Sequence, residues 1–171
     1  LYVPGENKCQ VIMVTSSRPS EGKTMVSSLL ARSFADADQK TLLIDADMRR
    51  GRVHRVFDMD PGTGLSGFLA GDVSNITDAV IKTDSAKLEV LARGKNSAPR
   101  FEILSASRFV NTINDLRKQY DRIIIDTPPL LGLADSIMVS KCVDGAIFVI
   151  RAEQTTQRDI ATAMEVLVGT R

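Results

Sequence analysis

The sequence contains no tryptophan, and two tyrosines with six phenylalanines bring aromatics to only 5%. That scarcity argues against a stacking platform for single-stranded nucleic acid. Cysteine is nearly absent too. Cys9 and Cys142 lie far apart and match no metal-ligand spacing, so they are expected to be reduced, packed thiols in a reducing compartment. No apolar run approaches the ~18 residues that span a bilayer, and no basic–apolar–small leader opens the chain. Neither sign of charge dominates. The 22 basic and 21 acidic residues leave +1, which rules out binding nucleic acid through overall charge but leaves room for a local patch. An initiator methionine is also missing. The chain that starts at Leu1 is therefore expected to be a piece of a longer protein, whose flanks could carry a membrane anchor.

What remains is ordinary globular material. With 171 residues, 43% hydrophobic and 25% charged, the chain reads as one domain spanning residues 1–171. Such a length buries roughly 70% of its unfolded surface and needs no disulfide or metal to fold. Short all-apolar runs alternate with helical stretches. Val11–Val14, Thr41–Ile44, Leu88–Leu91, Ile123–Ile125 and Ala146–Ile150 read as strands. Thr24–Ala37, with Val26, Leu29, Leu30 and Phe34 at helical spacing, reads as a helix, as do Phe109–Tyr120, Gly132–Cys142 and Gln157–Val168. Met48–Gly64 and Gly94–Pro99 read as loops, and the chain stops soon enough after its last helix to leave a sixth strand outside it. Continuous Val/Ile/Leu strands alternating with helices specify an α/β fold, with a mostly parallel central sheet and helices on both faces. Ligands of such sheets sit beyond the carboxyl ends of the strands, so the chemistry is sought just after Val14, Ile44, Ile125 and Ile150.

After the first strand comes Ser16-Ser17-Arg18-Pro19-Ser20-Glu21-Gly22-Lys23-Thr24, which ends like a phosphate loop although Ser17 stands where that motif has its first glycine. Gly22 lets the backbone turn so that successive N–H groups face a phosphate, and the helix N-terminus favours an anion. Lys23 places a charge on the terminal phosphates, and Thr24 offers a hydroxyl to Mg²⁺. Glu21 would repel phosphate from within the loop, so its carboxylate is expected to point to solvent.

Acids close the second and fourth strands. In Leu42-Leu43-Ile44-Asp45-Ala46-Asp47, two carboxylates two residues apart share a face if the strand persists. One could then hold Mg²⁺, directly or through water, and the other accept a proton. Asp126, in Ile123-Ile124-Ile125-Asp126-Thr127-Pro128-Pro129, matches a Walker B acid that helps hold Mg²⁺.

Together these motifs resemble the bacterial tyrosine kinases of capsule and exopolysaccharide synthesis, whose kinase domain is of the P-loop NTPase type. The likeness rests on Ser17–Thr24 as Walker A, Leu42–Arg49 as Walker A′, Ile123–Pro129 as Walker B, the Gly64–Gly71 Gly-Leu-Ser segment and the Val143–Arg151 late strand. It runs from about Gln10 to Val168. The resemblance implies an autophosphorylating protein-tyrosine kinase that uses ATP and Mg²⁺ and regulates polysaccharide polymerisation and export. Residues Ser17, Arg18, Pro19, Ser20, Glu21, Gly22, Lys23 and Thr24 would bind the nucleotide, with Lys23 and Asp45 catalytic and Asp45 the base for the tyrosine hydroxyl. Thr24, Asp47 and Asp126 would serve the metal. Implied partners are ATP and ADP, the acceptor tyrosines of a C-terminal tail from the same or a neighbouring subunit, a membrane-anchored activator segment, fused or separate, and further copies of the chain. Nucleic acid is not among them. The implied place is a cytoplasmic domain attached to the bacterial inner membrane through a segment outside this chain.

Three departures bear on that reading. Only Tyr2 and Tyr120 are present, and Tyr120, between a helix and a strand, is expected in the core, so the acceptor tail is expected outside this chain. The family's Glu/Arg-bearing helix, used in ring assembly, is missing upstream of the first strand. Arg18 stands four residues before Gly22, where partition and septum-positioning ATPases carry a signature lysine, which keeps a dimerising nucleotide-switch ATPase as the alternative. Finally, Arg49-Arg50-Gly51-Arg52-Val53-His54-Arg55 sets four arginines and the only histidine after the acid pair. That run reads either as a solvated loop or as a basic surface for an acidic partner, the activator, ATP or anionic lipid.

Overall fold

A computed structural model describes residues 9–95, 107–131 and 135–169. Its strands are β1 (Val11–Ser16), β2 (Thr41–Asp45), β3 (Ile81–Lys82), β4 (Leu88–Leu91), β5 (Arg122–Asp126) and β6 (Gly145–Val149). Its α-helices are α1 (Lys23–Asp36), α2 (Val53–Val56), α3 (Gly64–Ala70), α4 (Ser107–Leu116), α5 (Asp135–Ser140) and α6 (Gln157–Val168), with a 3-10 turn at Ile76–Ala79. The strands form one sheet in the order β3-β4-β2-β5-β1-β6. Every pairing is parallel except that of β3, which runs antiparallel to β4 at the edge. β3, which the apolar runs did not announce, is two residues long and leaves a short edge for unwanted pairing.

Successive residues of one strand enter different cores, which is why the strands read as unbroken apolar runs. Leu42, Ile44, Ile123 and Ile125 pack with Phe109, Ile113 and Leu116 of α4 and Val139 of α5. Leu43 and Ile124 pack on the other face with Ala31 and Ala35 of α1 and Val53 of α2. The buried stripe of α1 consists of Lys23, Ser27, Ser28, Ala31 and Ala35. These small side chains let the helix approach the sheet closely. Leu29, expected on that stripe, is 58% exposed instead.

Boundaries differ from the expectations where local hydrogen bonds decide them. The fourth helix ends at Leu116, after which turns carry the chain through Gln119 and Tyr120 into β5. Tyr120 is buried, donates its hydroxyl to Glu89 at 2.6 Å and lies under the Lys40 ammonium. The Met48–Gly64 segment is not wholly loop, since it contains the single turn α2 and the start of α3. Docking of α3 fixes that start: the Leu65 and Ser66 amides donate to the Ala92 and Arg93 carbonyls, and a Cβ on Gly64 would strike the Gly94 backbone. The expected loop residues beyond Lys95 and the first three of Gly132–Cys142 lie outside the described residues.

Strand register positions the site. Val14 and Asp45 both stand opposite Asp126, so the carboxyl ends of three adjacent central strands meet.

Candidate active site

The loop between β1 and α1 turns through two left-handed residues, Ser20 at φ 66° and Gly22 at φ 100°. Glycine at the second carries no Cβ cost there. No side chain caps α1, so its first amides remain available to an anion at the positive end of a fourteen-residue helix. Lys23 is only 8% exposed and donates its ammonium to Ser16 Oγ at 3.1 Å. Burial lowers the Lys23 pKa, while the charges of Asp126, Asp47 and Glu21 oppose that shift.

Glu21 does not point to solvent. It is 7% exposed and accepts from Ser17 Oγ at 2.8 Å, the Arg18 amide at 2.7 Å and the Thr155 hydroxyl. Burial, the largest influence, acts to raise its pKa, yet the hydrogen bonds together hold it below the usual carboxylate value. The carboxylate is thus an internal tie, turned away from the phosphate side by donors that need it. Thr155 lies 134 residues further on, so no local signal announces the arrangement. Two more contacts brace the same loop. Arg18 grips Asp159 of α6 with two hydrogen bonds of 2.8 and 2.9 Å, and Arg151 donates to the Ser20 carbonyl at 3.1 Å.

The acids split into three environments. Asp126, 1% exposed, accepts the Thr24 hydroxyl on Oδ2 at 2.7 Å, while its Oδ1 has no hydrogen-bond partner among the described residues. Burial, against the pull of Thr24 and Lys23, pushes its carboxyl up to about 6. Asp45 is fully buried and accepts the Val53 amide at 3.1 Å and the Asp47 amide at 3.3 Å. Burial and the neighbouring charges of Asp126 and Asp47 raise it well above the carboxylate range. A Cβ on Gly51 would collide with the Asp45 carboxylate, so glycine there is what lets the loop close over it. Asp47 instead lines an open cleft and binds the Arg49 and Arg50 amides through Oδ1. Strand geometry stops at Asp45, so the two acids do not present alike.

That cleft, about 600 Å³, is lined by Ser20, Gly22, Lys23 and Thr24 and by Asp47, Arg49, Arg50 and Arg52. Arg49 reaches the buried Asp135 at 3.4 Å. His54 stays outside the lining, its Nδ1 without a partner among the described residues. The donor set fits magnesium. A bare buried carboxylate oxygen on Asp126 beside the Thr24 hydroxyl, with Asp47 lining the cleft, is hard oxygen chemistry of the kind that ion takes. No group of three or more metal-ligating side chains occurs among the described residues, and an ion carried on a triphosphate does not require one.

Comparison with known proteins agrees with this geometry. A family model described as an AAA domain matches residues 9–167. The chain is 38% identical over 165 residues to tyrosine-protein kinase CpsD of Streptococcus pneumoniae, covering 96% of this chain and 72% of that protein. It is 33% identical over 160 residues to tyrosine-protein kinase Etk of Escherichia coli, covering 94% of this chain. The chain spans only 22% of Etk and 20% of a related kinase of Acinetobacter johnsonii. The solved kinase domain of the E. coli enzyme superposes with a TM-score of 0.92 at 32% identity, covering 97% of this chain and 65% of that one. The septum site-determining protein MinD of Pyrococcus horikoshii, solved with Mg-ADP, has a TM-score of 0.76 at 24% identity, a likeness of fold alone.

Proposed function

The chain belongs to the AAA domain family and to the bacterial tyrosine-protein kinases, and from that premise we propose that it transfers the γ-phosphoryl group of Mg-ATP to protein tyrosines in the control of capsule or exopolysaccharide export. It is a nucleotide-binding unit of the phosphate-loop type. On this reading it is one catalytic domain of a larger protein, working with a membrane-anchored activator segment, tail tyrosines and further copies of itself. No helix among the described residues is long and apolar enough to cross a membrane. The nucleotide-switch alternative has support from fold alone, whereas the relatives at 30% identity or above carry kinase names.

On this reading the residues take the following roles. The amides of Ser20–Lys23 and the Lys23 ammonium hold the triphosphate at the head of α1. Thr24, Asp47 and Asp126 would hold magnesium, which when bound neutralises charge on the transferring phosphoryl group. The acceptor phenol oxygen attacks the γ-phosphorus, the bond to the β,γ-bridging oxygen breaks, and ADP leaves. On this reading the phenolic proton passes to Asp45 once that carboxylate exchanges the Val53 amide for the acceptor. The observation that supports the reading is that Thr24, which lines the cleft with Lys23 and Asp47, donates to Asp126 at the end of β5, and that the other Asp126 oxygen is left bare among the described residues. Incubation of the full-length protein with labelled ATP, followed by phosphoamino-acid analysis, tests it. Phosphotyrosine, lost in Lys23→Met, is expected; release of inorganic phosphate alone would assign the chain to the switch ATPases.

A further inference from the structure

Resting on the kinase reading, a second feature of the cleft concerns the acceptor. The phosphate-binding end accounts for Ser20–Thr24 and Asp47, but two other sets of lining residues are unlike a phosphate cradle. One set is apolar, Pro19, Met25, Pro129 and Leu131, with Met25 55% exposed although it is a large apolar side chain. The other is made by Arg49, Arg50 and Arg52. Arg49 is occupied by Asp135. The side chains of Arg50 and Arg52 are exposed and carry no ion pair among the described residues. Their backbone is nevertheless held. The Arg50 amide donates to Asp47 at 2.8 Å, the Gly51 amide donates to the Asp47 carbonyl at 2.7 Å, and the Arg52 carbonyl accepts from Arg55 at the start of α2. The backbone that carries the two guanidiniums is thus held, so ligand binding need not order the loop first.

A tyrosine whose hydroxyl reaches the head of α1 has its ring among the apolar lining residues, where methionine sulfur favours aromatic contact. Its neighbours in sequence then lie along the arginines, which take carboxylates through two parallel hydrogen bonds. We propose that Arg50 and Arg52 form an acceptor subsite that selects tyrosines flanked by Asp or Glu. An anionic membrane would also attract arginines, but these line the concave cleft that holds Lys23 and Asp47, and a flat lipid surface does not enter it.

Two short peptides decide the matter, one with a tyrosine between glutamates and one with glutamines in their place. Each is offered with Mg-ATP and scored for phosphotyrosine. The wild-type protein is expected to favour the acidic peptide by about tenfold in kcat/KM at low salt, a preference that fades as salt rises. The Arg50→Glu, Arg52→Glu double variant is expected to lose or reverse the preference, and Arg50→Lys, Arg52→Lys to keep most of it. Equal use of both peptides by the wild type, or an unchanged preference in the double variant, overturns the subsite and leaves the kinase reading standing. A double variant that loses nucleotide affinity with its peptide ratio intact assigns the arginines to ATP and overturns it as well. So does loss of binding to phosphatidylserine vesicles with the ratio intact, which would make the patch a membrane contact. Absence of transfer to either peptide, by a wild-type protein that does form phosphotyrosine with labelled ATP, overturns the subsite and leaves the kinase reading standing.

Discussion

Asp126 holds one carboxyl oxygen against Thr24 and leaves the other bare in a dry place, which makes it the most exacting residue of the site. Its carboxyl is pushed up to about 6, above the ~3.9 of an unfolded aspartate, so the folded protein keeps that proton more tightly than the unfolded chain does. The stability this contributes is complete below about pH 4 and is lost as pH rises through about 6. Thermal midpoints measured in chelator, without nucleotide, are expected to fall across that window, and Asp126→Asn to flatten the fall. Parallel slopes for the two proteins would show that Asp126 ionises freely. At this scale much was legible from residue type and spacing. Gly22, Lys23, Thr24 and Asp126 stand at a strand–helix junction or a strand end, where few roles exist. The separate fates of Asp45 and Asp47 were not legible, because the period-two rule holds only while the strand continues, and β2 ends on Asp45.

The phosphate loop does not keep its shape by its own residues alone. The segment from Arg151 to Asp159, which joins β6 to α6, grips it through Arg18, the Ser20 carbonyl and Glu21. Glu21→Ala removes a carboxylate that would repel phosphate, but it also strips the partner from Ser17, Arg18 and Thr155. Buried donors left unpaired cost about 1–3 kcal/mol, so nucleotide binding is expected to weaken by about tenfold, with Thr155→Val acting in the same direction. Calorimetric titration with Mg-ADP checks this, and tighter binding in Glu21→Ala would show that repulsion outweighs the bracing. Local reading placed Glu21 in solvent because a carboxylate facing into the loop would repel phosphate. Its third partner comes from the far end of the chain.

Across the molecule, both faces of the sheet are covered, and that decides which apolar residues matter. Ile124, in the central strand β5, is fully buried against α1, so Ile124→Ala is expected to cost about 2–5 kcal/mol. Leu29 looked like a core position by helical spacing, yet faces outward, so Leu29→Ala is expected to stay within about 0.5 kcal/mol. Urea midpoints of the two variants test the contrast, and similar losses would place Leu29 under cover. The amino-acid order alone settled the alternation of strands and helices, the layered α/β class and the strand ends where the chemistry gathers. It could do so because apolar runs, turns and motif residues act within a few positions of one another. Packing between distant segments settled the rest. It set the neighbours of each strand, the antiparallel edge formed by β3, the sequestering of Asp45 beneath Gly51 and the inward turn of Glu21. Burial and hydrogen-bond pairing are satisfied over the whole assembled interior, and no window of local sequence contains both partners.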